Sequence, residues 1–261
     1  MIQVCSLGGG VASTALFLMS LHGEIENPAD AAVFADTGAE RQSTLDTIRF
    51  LEAYAKDFGV PVHIIKNEKL LDVRTNALSS DSKIGDMPFH TLDKKGKKTT
   101  LGKYCTKEFK TKPCWKLIRS EYGATYKTPV SVWLGYTVDE ATRIKRDVQK
   151  YEVRRYPLIE KRIYRYQCQK WLDEHGFDFV DRSACVVCPY RRDSEYRDMP
   201  ENEIQEAIAF EEDVNKRGMI TGEQTAPLRL HPSLIPLSER PFENPDQTEF
   251  DDMCDGGSCF T

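Results

Sequence analysis

The first 65 residues alternate short apolar runs with stretches of helical period. Residues 2–7 form an apolar run closed by Gly8-Gly9-Gly10, and from Ser13 the positions Leu16, Met19, Ser20 and Leu21 begin a helical repeat. Ala31–Ala35 stops at Asp36-Thr37-Gly38, after which Leu45, Ile48, Leu51, Ala55 and Phe58 share one helix face that Gly59 caps. Residues 60–65 read as a third strand. With right-handed crossovers, this β-α-β-α-β order predicts an α/β fold: a parallel twisted sheet flanked by helices.

Beyond that point the pattern loosens. Residues 66–100 lack sustained periodicity and are rich in Lys, Ser, Asp and Gly, which predicts a long excursion of the kind that covers a substrate. Residues 106–122 predict a helix interrupted early by Pro113, Val130–Leu134 a fourth strand ending at Gly135, and residues 164–176 a further helix. From Asp181 the chain turns irregular, makes one acidic helix at about 201–216 and ends in a Pro-rich tail. The expected organisation is a nucleotide-binding α/β domain, residues 1–180, with a substrate loop at 66–104. An irregular cysteine-bearing extension, residues 181–261, packs on it.

A chain of 261 residues buries a core without staples, so its eight cysteines are not needed to hold it together. With no N-terminal apolar signal and no long apolar run, the expectation is a cytoplasmic protein with no membrane partner, in which Cys-x-x-Cys reads as a metal or redox site. The net charge of −5 hides an asymmetry: residues 94–127 hold eleven Lys/Arg against two Glu, and residues 195–261 hold five against sixteen Asp/Glu. A basic segment beside a nucleotide loop suits an anionic acceptor, either a phosphorylated small molecule or a nucleic-acid backbone; a solvated lysine-rich loop has the same composition.

Candidate chemistry gathers at the ends of strands, where open α/β sheets place their ligands. In the loop Ser6-Leu7-Gly8-Gly9-Gly10-Val11-Ala12-Ser13-Thr14, glycines let the backbone approach phosphate oxygens, and Ser6, Ser13 and Thr14 add hydroxyl donors. It is not a P-loop, since no lysine follows the glycines. Asp36, Thr37 and Gly38 end the second strand and suit a ribose or a phosphate, or form an ordinary turn. Gly135, Asp139, Glu140 and Arg143 follow the fourth strand and place two carboxylates and a cation at the same edge.

Cys185-Val-Val-Cys188-Pro carries two thiolates at a spacing that binds one metal or cluster. One pair cannot close a four-ligand site. Cys105, with Cys254 or Cys259 from the tail, supplies the remaining candidates, whereas Cys5, Cys114 and Cys168 are expected to be small buried hydrophobes. Histidines 22, 63, 90, 175 and 231 are scattered singly, and none is assigned to metal.

The glycine loop, Phe34-Ala35-Asp36-Thr37-Gly38, Tyr104-Cys105-Thr106 with Lys110 and Pro113, Gly135 with Asp139-Glu140 and Arg143, Tyr156-Pro157-Leu158-Ile159-Glu160, and Ser183-Ala184-Cys185-Val186-Val187-Cys188-Pro189-Tyr190 together resemble the phosphoadenosine phosphosulfate (PAPS) reductase family, most of all its compact phage or mobile-element members. The resemblance implies an adenine nucleotide alpha-hydrolase-like fold, with the nucleotide lying across the first loop. It further implies an iron-sulfur cluster, of the 4Fe-4S type, on Cys105, Cys185 and Cys188, with zinc as the alternative and Cys254 as the candidate fourth ligand. Relatives either reduce an adenylyl sulfate (PAPS or APS) or spend ATP to activate a group that sulfur or nitrogen then attacks. Ala12 stands where the ATP-cleaving branch carries Asp, which leaves Asp36 or Glu140 as the candidate to hold magnesium. The expected activity is adenine-nucleotide-dependent sulfur transfer, with sulfonucleotide reduction and a non-catalytic binding module as alternatives. Lys107, Lys110 and Arg143 would neutralise the transferring group, Cys259 would be the attacking thiol, and a reductant or sulfur donor would be the further partner.

Overall fold

The computed structural model describes residues 1–66, 72–78, 87–144, 150–216 and 226–242. Its strands are β1 Gln3–Leu7, β2 Ala31–Ala35, β3 Val62–Ile65, β4 His90–Leu92, β5 Lys98–Thr100, β6 Val130–Leu134 and β7 Glu152–Arg155. Its α-helices are α1 Val11–Leu21, α2 Gln42–Lys56, α3 Val73–Leu78, α4 Lys112–Tyr122, α5 Pro157–Glu160, α6 Arg165–Glu174, α7 Asp193–Arg197 and α8 Glu201–Lys216. The central sheet runs β3-β2-β1-β6-β7 with every pairing parallel. Among the described residues no helix is long and apolar enough to cross a membrane.

The two-residue period of the strands sorts side chains into two cores. Cys5, Leu7, Ala32, Phe34 and Trp133 pack with α1, with Ile48 and Leu51 of α2, and with Cys168 and Leu172 of α6. Val4, Val33, Ala35, Val130 and Val132 point the other way, onto Cys114 and Ile118 of α4. Both faces are covered, which is why β1, β2 and β6 read as continuous apolar runs.

Three features depart from the sequence pattern. Strand β7, Glu-Val-Arg-Arg, was hidden by its charges; it lies at the sheet edge, where charge guards against further pairing, and Arg154 Nε donates to Glu152 Oε1 at 3.0 Å. Pro113 does not interrupt a helix. It sits in the first turn of α4, where a missing N–H costs nothing, after a wide π-helical turn over Thr106–Thr111 in which the Lys112 N–H reaches the Lys107 carbonyl.

The third departure is the excursion at 66–104, which holds α3 and the antiparallel hairpin β4–β5. Its Val73, Met87 and Phe89 share a third core with Val187, Tyr196, Phe210 and Leu230. The isolated bridge His90–Arg229 fastens the same segments together, and Glu40–Cys185 ties the extension to the turn between β2 and α2. The excursion and the C-terminal extension therefore bury each other, and residues 185–188 are carried to the carboxyl end of β2.

Candidate functional site

The strand order reverses direction between β1 and β6, and the glycine loop lies at that switch point. Gly9 has φ +75°, and a Cβ there would stand 2.7 Å from Thr44 Cγ2 of α2. Its role is the loop's shape. Ser13 holds the rest: its Oγ accepts the Gly8 N–H at 3.1 Å and donates to the Gly10 carbonyl at 3.2 Å. Gly10 is the N-cap of α1 and offers no side-chain cap, so the first N–H groups of the helix remain available to an anion.

Ser6, Gly8, Gly10, Ser13, Gly135 and Glu140 line one cleft together with Ala12, Tyr136, Arg165, Arg182 and Ser183. Ser6 Oγ and the Tyr136 hydroxyl are buried in this wall with no hydrogen-bond partner among the described residues, a state that buried polar groups rarely keep without a ligand or water. Burial pushes the Tyr136 phenol up, so it stays an O–H donor, and its ring has the Arg143 guanidinium 4.6 Å from its centroid and stacks on Tyr156. Arg165 opens α6 at the cleft wall, and its guanidinium makes no ion pair among the described residues.

Other expected nucleotide residues stand one layer back. Thr14 is fully buried in α1. Asp139 Oδ2 accepts the Arg165 N–H at 2.7 Å and so fixes the start of α6. Glu140 pairs with Arg143, which holds that arginine behind the wall. Asp36 pairs with Lys66 at 2.9 Å and accepts the Gly38 N–H at 2.7 Å, forming a turn. Both carboxylates named for magnesium are thus already held by cations.

A second pocket adjoins the cleft and shares Arg182 and Ser183 with it. Cys105, Cys185 and Cys188 all line this pocket, with Thr37, Thr106, Lys110 and Tyr190. Eighty residues of sequence separate Cys105 from Cys185, and the third core closes that gap. At its floor, Lys110 Nζ lies 3.0 Å from Glu40 Oε1, which also accepts the Thr37 hydroxyl at 3.0 Å. The Cys185 thiol lies 3.3 Å from Thr37 Oγ1 and 3.6 Å from Glu40 Oε1. Burial first, then the Glu40 charge, holds that thiol well above its ordinary range, with Lys110 opposing.

The donor chemistry suits a soft metal centre, and Cys105, Cys185 and Cys188 line one pocket from which zinc or an iron-sulfur cluster could take thiolates. Cys254 and Cys259 lie outside the described residues. Cys5, Cys114 and Cys168 are buried, as small hydrophobes are, with burial raising each thiol.

Tyr136, Arg165, Arg182 and Glu40 carry much of this site without a role in the sequence pattern, and Ser183 stands in the cysteine motif without one. Arg182-Ser183 directly precedes Ala184-Cys185, and its position beside the cysteine motif was the available signal. Arg165 and Glu40 had none, because their roles depend on packing.

No family model matches the chain, and no curated protein matches it. Among solved structures, the chain is similar to phosphoadenylyl-sulfate (PAPS) reductase from Candida auris in its phosphate complex. That similarity has 15% sequence identity and a TM-score of 0.44 over 70% of this chain and 75% of that one.

Proposed function

We propose that this protein binds an adenine nucleotide in the glycine-loop cleft and performs sulfur transfer, thiolation, at the adjoining cysteine pocket. The observation that supports the reading is the wall common to both, Arg182-Ser183, which stands between the glycine-loop cleft and the pocket lined by the three cysteines. The phosphates rest on the open N–H groups of α1, with Ser6 and Tyr136 donating to them and Arg165 neutralising charge. Cys105, Cys185 and Cys188 would hold an iron-sulfur cluster, which supplies redox-active sulfide when bound. Lys110 keeps a positive charge beside Cys185 and so favours its thiolate against the effect of Glu40. The exposed lysines at the tip of the β4–β5 hairpin, Lys94, Lys95 and Lys97, suit an anionic acceptor, a nucleic-acid backbone included.

A second reading, reduction of a sulfonucleotide, is favoured by Ala12, which lines the cleft without a carboxylate. There a cysteine thiolate attacks the sulfate sulfur and expels the nucleotide; a second thiol then releases sulfite as the two sulfurs join in a disulfide.

Anaerobically purified protein, analysed for iron and sulfide, separates these readings in two reactions. With ATP, a sulfide donor and bulk transfer RNA, thiolation yields pyrophosphate, AMP and sulfur in the RNA. With PAPS and a dithiol, reduction yields sulfite and adenosine bisphosphate. Nucleotide binding with neither product would make the chain a binding module, and no nucleotide binding at all would remove the site.

A further inference from the structure

Helices α1 and α6 pack side by side, and both begin at the cleft: Gly10 caps α1, and Arg165 opens α6. Both therefore end at the far side of the molecule, about 16 Å away along the eleven residues of α1. The two C-terminal caps there are His22 and His175. Each of His22, Glu24 and His175 offers one ligand atom, and the three atoms lie within 4.8 Å of one another. We infer that His22, Glu24 and His175 form a binding site for a divalent transition-metal ion of the zinc and nickel class, separate from the cysteine pocket.

Three observations support this beyond proximity. First, the surrounding hydrogen bonds occupy one nitrogen of each ring and leave the other open. His175 Nδ1 lies 2.8 Å from the Trp171 carbonyl, and His22 Nε2 lies 2.9 Å from the Tyr54 hydroxyl. The Trp171 carbonyl can only accept, so His175 Nδ1 carries the proton and its Nε2 keeps a lone pair; binding through His22 Nδ1 would have His22 Nε2 donate to the Tyr54 hydroxyl, the arrangement that outer partners of metal-bound histidines impose. The Trp171 indole N–H lies 3.0 and 3.2 Å from the two Glu24 oxygens and orients that carboxylate while leaving it further lone pairs.

Second, the electrostatics ask for a cation. Two helix C-termini converge here, neither with a basic residue in its last turn, and Glu24 adds a full negative charge. Third, the rings are braced: His175 stacks on Trp171 with centroids 4.0 Å apart, and His22 packs edge-on to both at 5.5 and 5.8 Å. Two imidazoles and one carboxylate with solvent at the remaining positions suit borderline metals, and discriminate against the soft ions that the cysteines prefer.

Trp171 is the built-in probe. Titration of the full-length, chelator-treated protein with Ni²⁺ is expected to quench tryptophan fluorescence saturably, and calorimetry should find a matching site. The combined Cys105→Ser, Cys185→Ser and Cys188→Ser protein should keep that quenching with an unchanged midpoint. His22→Gln with His175→Gln should weaken it at least tenfold, and Glu24→Gln should weaken it too, which guards against a folding defect in the histidine variant. Trp171→Phe should lose most of the quenching but keep the calorimetric site. In the cysteine-variant background, Zn²⁺ should raise the melting midpoint by a few degrees, and adding His22→Gln with His175→Gln should abolish that rise. Equal Ni²⁺ midpoints for the wild type and the histidine variant would overturn the assignment, as would loss of the site in the cysteine variant alone or no binding at millimolar Ni²⁺.

Discussion

Lys110 Nζ stands 3.0 Å from Glu40 Oε1 with both side chains almost wholly withdrawn from water, at 10% and 0% exposure. A buried pair of this kind is worth little against an apolar replacement, but removing one partner strands the other charge. Lys110→Met is therefore expected to cost about 3–5 kcal/mol of stability. The double change Lys110→Met with Glu40→Gln should recover most of it. Urea midpoints of the wild type, the two single variants and the double give the coupling directly; additive losses would show that the two residues act apart.

The same pair sets the reactivity of the nearest thiol. Glu40 raises Cys185 and Lys110 lowers it, so Glu40→Gln should speed iodoacetamide labelling of Cys185 at pH 8 and Lys110→Met should slow it. Mass spectrometry of the labelled peptide against time reads both directions. Equal rates in the two variants would mean that access, not charge, governs this cysteine.

How far such a site could be read in advance depended on whether its parts were local. The glycine loop, the ends of β2 and β6 and the Cys185–Cys188 pair were legible because a strand, a turn and a helix start leave their marks within about ten residues. Arg165 was not, since its place at the cleft comes from α6 packing beside α1. Glu40 looked like any residue opening a helix, until the bridge to Cys185 put it under the thiol. Strand β7 was obscured by the charges that its edge position requires. His22 and His175 read as two scattered residues because nothing in the sequence says that two helices end together.

Gly135 tests the close contact between β6 and α1. A Cβ at this position would stand 2.7 Å from Ser13 Cα and 2.9 Å from Ser13 N, both backbone atoms that cannot swing aside. Gly135→Ala should push the start of α1 off the sheet, lowering stability by about 1–3 kcal/mol and, on the proposed reading, weakening nucleotide binding by at least tenfold, because the displaced N–H groups are those proposed to hold the phosphates. Gly96→Ala, which meets nothing within 4 Å, is the comparison on the hairpin tip, although its own φ of +72° adds a small local strain. Calorimetry with ATP and with PAPS on both proteins decides the matter.

Arg165 separates binding from folding. Arg165 lines the cleft and its guanidinium makes no ion pair among the described residues, so Arg165→Gln should leave the melting midpoint within about a degree of the wild type while weakening nucleotide binding roughly tenfold to a hundredfold, the range of one charge-assisted hydrogen bond. An unchanged affinity would move the anion site away from α6.

The C-terminal segments carry a pH dependence of their own, centred on His231. Its Nδ1 accepts the Ser233 N–H at 3.1 Å and lies 2.9 Å from Ser233 Oγ, and its Nε2 lies 2.7 Å from Asp193 Oδ1, so the neutral ring with its proton on Nε2 satisfies these neighbours. A second proton on Nδ1 would cost the bond from the Ser233 N–H. Burial first, then the nearby Arg240 charge, lower His231 to about 4, although Asp193 pulls the other way. In the unfolded chain the ring titrates near about 6.5. Between those two values the unfolded state binds the proton that the folded state refuses, so stability falls as the pH drops from about 6.5 to about 4, by up to about 1.4 kcal/mol per pH unit. Above about 6.5 this group contributes no slope. His231→Asn keeps a polar side chain that does not titrate; it should lose some stability at pH 7.5 through imperfect hydrogen bonding but show a flatter decline at lower pH. Denaturant midpoints at pH 7.5, 6.0 and 5.0 for both proteins measure the difference in slope, and parallel lines would assign the acid sensitivity to the carboxylates instead.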